Sequence, residues 1–429
     1  MLAERIAAID HALSGQLNEV FHHPDFQRLE ATWRGLEYLV RNTATSAMLK
    51  IRVLNATKEE VRKDLRRAAE FDQSDLFRKV YEEYDIFGGD PFAAIVADYP
   101  FDQSPVDVEM LEHLSRIAAA AHMPFIAAAP ARMFNLDSFR ELSMPRDLSK
   151  IFESVDYRRW RSFRESEDAR YVGLVLPRVL QRLPYGREGH ATEGFDYEEG
   201  VDGRDPERYL WGNAVFAFAA RLTEAFARYG WCVAITGLER AGVVRGLPLQ
   251  RFVSDDGDTV VTCPTEIAIT DRRREEISRL GFIPLSYEKG SDRAVFFDAH
   301  ACHKPTPSLN WSWSGDSSEP TSLEYIFAVS RFAQYFKVIA RDKIRSFQSR
   351  RECERYLNNW LADYILLDDE AEPEMKARYP LREGRVAVAE VPGYSGRYRV
   401  SAQLRPHYQI SVSNQGVLET VATLDALKG

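Results

Sequence analysis

Short apolar runs alternate with helical stretches over most of the chain up to Phe297. The runs are Leu49–Leu54, Ala94–Tyr99, Pro124–Ala129, Tyr171–Leu176, Glu266–Thr270 and Arg293–Phe297. Stretches with a helical apolar period, such as Val106–His122, separate them. Strands that alternate with helices pair into a sheet that the helices cover. The pattern therefore predicts an α/β fold, α+β overall, with a mixed and largely parallel sheet flanked by helices.

Tyr171–Leu176 is the best defined of these runs, because Pro177 ends it with a residue that lacks the N–H a ladder needs. A charge cluster precedes it, consisting of Arg161, Arg164, Glu165, Glu167, Asp168 and Arg170. Two carboxylates beside a strand end are able to act as general acid and base. However, Ser166 lies close by without an orienting partner in the sequence. We therefore expect an ion-paired loop or helix end and assign no catalytic residue.

The chain is long enough to bury more than one core. Its 429 residues, 45% of them hydrophobic, correspond to roughly two or three domains. Lys304–Ser322 is rich in proline and serine, as is typical of a connection between domains. We therefore expect a large N-terminal α/β domain at residues 1–310 and a smaller C-terminal domain, with a long helix and terminal β-strands, at 318–429.

The composition argues against several classes of function. A formal net charge of −9 does not favour a nucleic-acid partner. Met1–Val20 carries charges throughout, unlike a signal peptide, and no apolar run is long enough to span a bilayer, so we expect a cytoplasmic protein without direct membrane insertion. Its four cysteines contain no C-x-x-C pair and are expected to be reduced. His300 and His303 lack further zinc ligands nearby, so neither a metal nor a cofactor is expected.

The first segment has apolar residues at spacings of three and four. This spacing predicts an amphipathic helix whose apolar stripe must be buried. Packing within the chain and docking on a partner helix both meet that requirement. The candidate residues for packing against a partner helix are Ile6, Ile9, Leu13 and Leu17.

A long helix is predicted from Ser322 to Arg350. Between Arg331 and Arg351 there are seven Lys or Arg residues and a single acid, Asp342, although the chain is acidic as a whole. Lys337, Arg341 and Arg345 are spaced four residues apart and so project from one face of the helix. That face is either solvated or binds an acidic partner.

The C-terminal stretch changes from a helical to a period-two pattern. Strands are expected at Arg385–Val391 and after the turn Pro392–Gly396, followed by a third at Val417–Leu424. The edges of such a small sheet are either covered within the domain or available to a strand of another chain. The candidate residues for intersubunit strand exchange are Tyr398, Val400, Ala402, Leu404, Val417, Glu419, Val421 and Thr423.

Several motifs follow one another along nearly the whole chain. They are LNEVFHHPDFQRLEATWRGLEYLV at Leu17–Val40, FGGDPFAAIVADYPF at Phe87–Phe101, RESEDARY at Arg164–Tyr171, YLWGNAVFAFAARL at Tyr209–Leu222, PTEIAITDRR at Pro264–Arg273, KGSDRAVFF at Lys289–Phe297 and LRPHYQ at Leu404–Gln409. In this order they resemble the large subunit of the type VI secretion system contractile sheath, the TssC or VipB family. The resemblance implies a structural bacterial protein, not an enzyme, that polymerises helically around an inner tube. Contraction then propels the tube and its effectors into a target cell.

The resemblance also implies partners. These are a small sheath subunit of the TssB or VipA type, further copies of this chain, an inner tube protein of the Hcp type and a baseplate. It implies that Lys337, Arg341 and Arg345 face the tube and that the terminal strands knit neighbouring subunits together. A recycling AAA+ unfoldase of the ClpV type usually engages an extension ahead of the first motif. Here that motif begins almost at Met1, so this site is expected to be missing from the sequence.

Two other classes of protein remain as alternatives. A single-subunit sheath from a phage-tail-like machine would polymerise without a partner chain. A mixed α/β enzyme would need a cleft with convergent titratable groups, and the scattered Ser and His residues form no such constellation in the sequence.

Overall fold

The structure of the protein is a computed structural model. It describes residues 2–85, 89–144, 146–186, 195, 197–201, 206–253, 259–261, 263–304, 322–343, 350–390, 397–407 and 418–425. The α-helices of these ranges are α1 Leu2–Phe21, α2 Pro24–Arg41, α3 Lys58–Arg67, α4 Asp75–Asp85, α5 Pro105–Ala121, α6 Leu148–Glu153, α7 Arg158–Glu165, α8 Val215–Tyr229, α9 Asp271–Arg279, α10 Leu323–Lys343, α11 Arg350–Ala362 and α12 Pro373–Arg378. The strands are β1 Ile95–Pro100, β2 Phe125–Ala128, β3 Val172–Leu176, β4 Val179–Leu180, β5 Trp211–Gly212, β6 Val243–Val244, β7 Arg251–Val253, β8 Thr259–Val261, β9 Ile283–Tyr287, β10 Ala294–Phe296, β11 Leu381–Glu390, β12 Arg397–Pro406 and β13 Leu418–Asp425.

The central sheet has the strand order β1-β2-β3-β9-β10-β6. Its first four strands are parallel, with Phe125 of β2 opposite both Ile95 of β1 and Val172 of β3. Strands β10 and β6 continue the sheet in antiparallel pairing. The predicted mixed sheet with flanking helices is therefore confirmed.

Helices cover both faces of this sheet. Along β2, Phe125 belongs to one buried apolar cluster with Leu111 of α5, whereas Ile126 belongs to another with Phe218 of α8. This division follows from the period of two, which turns successive side chains of a strand to opposite faces. The result is a sheet buried between two helical layers, as parallel strands require.

Helix α10 is part of the main core. Its residues Ile326 and Phe332 lie in the same apolar cluster as Leu174 of β3, and the Phe332 ring stacks on Trp231 with 4.5 Å between ring centroids. The buried amide of Gln334 donates to the carbonyl oxygens of Phe92, Ala121 and His122 at 2.8, 3.2 and 3.0 Å. These contacts fix the amino-terminal half of α10 inside the fold.

The C-terminal residues form a separate three-stranded antiparallel sheet with the order β11-β12-β13. Its inner face packs on α11, where Leu357 and Leu361 are fully buried together with Val386 and Val400. The predicted terminal strands are present, although β11 begins at Leu381 rather than Arg385. The turn Pro392–Gly396 lies outside the described residues.

Two predicted strands are wrong. Leu49–Leu54 has no regular structure, and the side chains of Val53 and Leu54 are exposed, because an apolar run becomes a strand only where the sheet offers an edge. Glu266–Thr270 is a loop instead of a strand, and it leads into α9, for which Thr270 is the N-cap residue. On the side away from β2, strand β3 pairs with β9, which the sequence pattern did not identify.

Two further expectations lie partly outside the described residues. The predicted long helix is described from Leu323 to Lys343, and α11 begins at Arg350. The connection Lys304–Ser322 is described only at its two ends, so the division of the chain at 310 and 318 stays a prediction.

Candidate assembly surfaces

Helix α1 leaves its apolar stripe in solvent. The exposed fractions are 52% for Ile6, 58% for Ile9 and 42% for Leu13, and Leu17 is half-buried. Among the residues of α1, only Ser14 is buried. An exposed stripe of this length on an amphipathic helix is typical of a surface that another helix covers.

The carboxyl end of α1 is attached to the body of the protein. The Phe21 ring lies 5.3 Å from Phe26 and 5.6 Å from Tyr185, measured between ring centroids. The Tyr197 hydroxyl donates to Oδ1 of Asn18 at 2.8 Å. These contacts hold the last turn of α1 while its earlier turns project from the surface.

A buried ion network lies beneath this attachment. Arg182 donates through Nε to Oε1 of Glu30 at 2.7 Å and through Nη1 to Oε2 of Glu199 at 2.6 Å, and its guanidinium lies 4.4 Å from the Tyr185 ring. Burial raises the pKa of Glu30, but the hydrogen bonds and charges of Arg182 and Arg34 outweigh this effect and hold that pKa below its usual value. The network joins α2 to the chain near β4, and so positions the helix pair α1–α2.

The basic face of α10 is only partly described. Lys337 is half-buried, and its Nζ lies 5.6 Å from the centroid of the Tyr81 ring of α4. Arg341 lies in the last turn of α10, whereas Arg345 lies outside the described residues. Lys337 therefore contributes to packing between helices in addition to any external contact.

The candidate strand residues lie in two adjacent strands. Val400, Ala402 and Leu404 of β12 are fully buried and face the core. Tyr398, at the start of β12, pairs with Glu390 on one side and Leu424 on the other. Within this chain β12 is thus the central strand and is paired on both edges.

The remaining candidates belong to the neighbouring strand. Glu419, Val421 and Thr423 of β13 lie opposite Gln403, Ser401 and Arg399 of β12. Val417 lies outside the described residues.

The charge cluster before β3 ties segments of the fold together. Arg164 is buried and donates through Nε to the Cys302 carbonyl at 2.8 Å, and Lys304 donates its N–H to the Arg164 carbonyl at 2.8 Å. Burial lowers the pKa of Arg164 to about 10. Arg170 pairs with Glu167 at 3.1 Å. This arrangement agrees with the expected ion-paired helix end, and it positions the segment that contains His300 and His303.

The described ranges contain neither a cluster of metal-ligating side chains nor a membrane-spanning helix. In those ranges no group of three or more His, Cys, Asp or Glu is placed to hold a metal ion. No helix among them combines the length and the apolar character needed to cross a membrane.

Sequence reasoning missed the residues that organise these surfaces. Arg182 and Glu30 are 152 positions apart, and Asn358 and Val386 are 28 apart, so no local pattern connects them. A signal did exist next to the LPYG stretch, where Arg182 follows Val179 and Leu180 closely after a buried strand. A buried arginine often pairs with a carboxylate, but the sequence does not show which one.

Models of two tail sheath domains match this chain. The domain described as "EvpB/VC_A0108, tail sheath N-terminal domain" matches residues 3–303, and "EvpB/VC_A0108, tail sheath gpW/gp25-like domain" matches residues 315–424. The chain is also similar to the type VI secretion system sheath protein TssC1 of Pseudomonas aeruginosa. The two are 47% identical over 409 residues, which cover 94% of this chain and 82% of that protein.

Proposed function

This chain belongs to the TssC/VipB family of type VI secretion sheath proteins, and we propose that it pairs with a small sheath subunit and polymerises with it around an inner tube. Its role in the sheath is structural. Contraction needs no reaction in this chain, because the free energy is stored in the contacts of an extended lattice and released when the subunits repack. The bacterial cytoplasm is the location that we propose from the family alone.

The observation that carries the proposed pairing is the solvent-facing stripe of α1. Ile6, Ile9 and Leu13 recur at helical spacing and are each at least 42% exposed. A helix of the small subunit packed along this stripe would bury these side chains, each worth about 1.5–3 kcal/mol on full burial. The attachment of α1 at Phe21 leaves the stripe accessible along the preceding turns.

The terminal sheet supports a second contact. Strand β13 pairs with β12 from Arg397, which lies opposite Asp425, to Leu404, which lies opposite Leu418. Since β13 is close to the end of the chain, the same segment from a neighbouring copy is able to take an equivalent place by strand exchange. We therefore propose that neighbouring subunits are linked through Tyr398–Leu404 of β12 and the strand 417–423.

We assign the tube-facing surface to Lys337, Arg341 and Arg345. The local excess of positive charge in an acidic chain supports attraction to an acidic surface of the tube protein. Contacts with a baseplate and recycling by an unfoldase of the ClpV type follow from the family alone. The division into domains at residues 1–310 and 318–429 is likewise proposed, and it agrees with the two matched ranges.

Co-purification tests the proposed pairing. A tagged copy of this chain, expressed with the small subunit encoded beside it, should retain that subunit in stoichiometric amount after washing in high salt, because apolar burial is insensitive to screening. Recovery of the tagged chain without the small subunit would contradict the proposal.

A further inference from the structure

Side chains of α11 are hydrogen-bonded along the outer edge of β11. The Asn358 amide donates through Nδ2 to the Val386 carbonyl at 2.8 Å, and its Oδ1 accepts from the Val386 N–H at 2.9 Å. A single side chain therefore satisfies both backbone groups that an added strand would use. Two residues along β11, the N–H of Val388 donates to Oε2 of Glu354 at 3.3 Å.

Other parts of the same chain cover the beginning of this edge. The N–H of Leu381 donates to the Tyr364 carbonyl at 3.2 Å, and the Leu381 carbonyl accepts from the N–H of Leu366 at 2.8 Å. At Gly384 the Leu361 side chain lies against the inner face of β11, where an added Cβ would be 2.8 Å from its Cδ2. Backbone groups on the edge of β11 are therefore hydrogen-bonded within the same chain at Leu381, Val386 and Val388.

The strand register shows which groups face the opposite edge of the sheet. In an antiparallel sheet a residue turns its N–H and its C=O to the same neighbour, and successive residues alternate sides. Val386 turns both groups away from β12, so Ala402, which lies opposite it, turns both groups toward β13. The pairing of β12 with β13 then turns the backbone groups of Glu419, Val421 and Thr423 to the outer side of β13.

We propose that Asn358 and Glu354 close the β11 edge, so that a terminal strand from a second copy of this chain joins the sheet only on the β13 side of β12. The inference rests on the proposed strand exchange between subunits. The occupant is a second copy because the chain's own terminal strand, Leu418–Asp425, already pairs with β12 in a defined register that an identical strand can adopt. Closing one edge gives the linkage a single direction, as a helical lattice requires.

Opening the closed edge tests this proposal. Asn358→Leu removes both side-chain hydrogen bonds to Val386, and Asn359→Leu is the matched control, because Asn359 is the adjacent residue of α11 and is exposed. Amide hydrogen exchange of Val386 is expected to be at least about tenfold faster in Asn358→Leu than in the control. Co-expressed with the small subunit, Asn358→Leu should give irregular aggregates, whereas the control should give regular tubules.

The exchange rate of Val386 and the form of the assemblies test the closure of the β11 edge separately from the proposed function. Unchanged exchange at Val386 together with regular tubules from Asn358→Leu would contradict the closure. The absence of tubules from both the wild type and the control would contradict the proposed function instead, while the exchange rate of Val386 would still report on the edge. If Asn358→Leu does not fold, Asn358→Asp replaces it, since it keeps the acceptor for the Val386 N–H but loses the donor to the carbonyl. Irregular assembly is again expected, and regular tubules would contradict the proposal.

Discussion

Nη1 of Arg182 lies 2.6 Å from Oε2 of Glu199, and both side chains are almost completely buried. The same guanidinium binds Glu30 of α2, so one buried cation joins two carboxylates from distant parts of the chain. Removing only the cation takes this partner from the buried Glu199 and leaves Glu30 with Arg34 alone, which costs far more than losing an exposed pair.

Arg182→Ala is therefore expected to lower the free energy of unfolding by about 3–5 kcal/mol. Arg41→Ala is the control, because its pair with Glu37 is largely exposed and contributes less than about 1 kcal/mol. Urea denaturation of the two variants and the parent measures the difference. A loss from Arg182→Ala no larger than that from the control would show that the network does not stabilise the fold.

Glu324 provides a pH-dependent test. It is buried in the first turn of α10 and accepts a hydrogen bond from the Thr236 hydroxyl. Burial raises its pKa to about 7 from the usual 4.5. Between these values the folded chain keeps a proton that the unfolded chain has released, so this group lowers the free energy of unfolding as pH rises from 4.5 to 7.

Glu324→Gln removes that titration. The variant is expected to be more stable than the parent by about 2–4 kcal/mol above pH 7, and the difference should shrink toward pH 4.5. Denaturant unfolding of both proteins over this range measures it. A stability difference that does not change with pH would mean that Glu324 ionises in the folded chain with its ordinary pKa.

The main sheet was largely predictable because its strands are short apolar runs bounded by turn residues. Tyr171–Leu176 is an example, as strand β3 occupies all of it except Tyr171. The capping box at Thr57 and Glu60, recognisable in the sequence, is also present, with the Glu60 carboxylate accepting from the Thr57 N–H at 2.7 Å. Leu49–Leu54 has the same composition as a strand but is a loop, because pairing partners are a property of the whole fold.

The candidate surfaces were predictable only as patterns. The period of α1 identified the apolar stripe, but whether Ile6 and Ile9 are buried depends on which elements reach that helix. The sequence around Asn358 does not indicate that this residue closes the edge of β11, since an asparagine in a helix is usually solvated. Its partner, Val386, is set by how α11 lies beside β11.

The α1 stripe is expected to tolerate charge in the free chain but not in the complex. Ile6→Asp combined with Ile9→Asp should change the free energy of unfolding by less than about 1 kcal/mol, because both side chains are more than half exposed. It should abolish co-purification with the small subunit. His11→Asp, on the opposite side of α1, is the control and should retain the partner. Retention of the small subunit by the double variant would place the interface elsewhere.

Charge reversal tests the proposed tube face. The triple variant Lys337→Glu, Arg341→Glu and Arg345→Glu should prevent assembly of tube-filled sheaths and secretion. Its new negative charges would repel an acidic surface of the tube protein. Arg351→Glu, an exposed cation of the next helix, serves as the control. Intact tube-filled sheaths and secretion from the triple variant would contradict the assignment. Lys337→Glu alone should also loosen the contact with Tyr81.

Deletion of residues 417–429 tests strand exchange. The main apolar cluster is formed by residues of the helices, the central sheet, β11 and β12, all of which the shortened chain retains. This chain should therefore fold and bind the small subunit. It should form no tubules, because it lacks the strand that we propose to link neighbouring subunits. Sedimentation of assembled material measures the outcome, and pelleting equal to that of the full chain would exclude the exchange.

The most direct test of the account is to express this chain alone and with the small subunit, and to image both samples by negative-stain electron microscopy. We predict hollow, ridged tubules only when the two chains are expressed together. Tubules from this chain alone would contradict the two-component sheath and indicate a single-subunit machine, and dispersed protein in both samples would contradict assembly altogether.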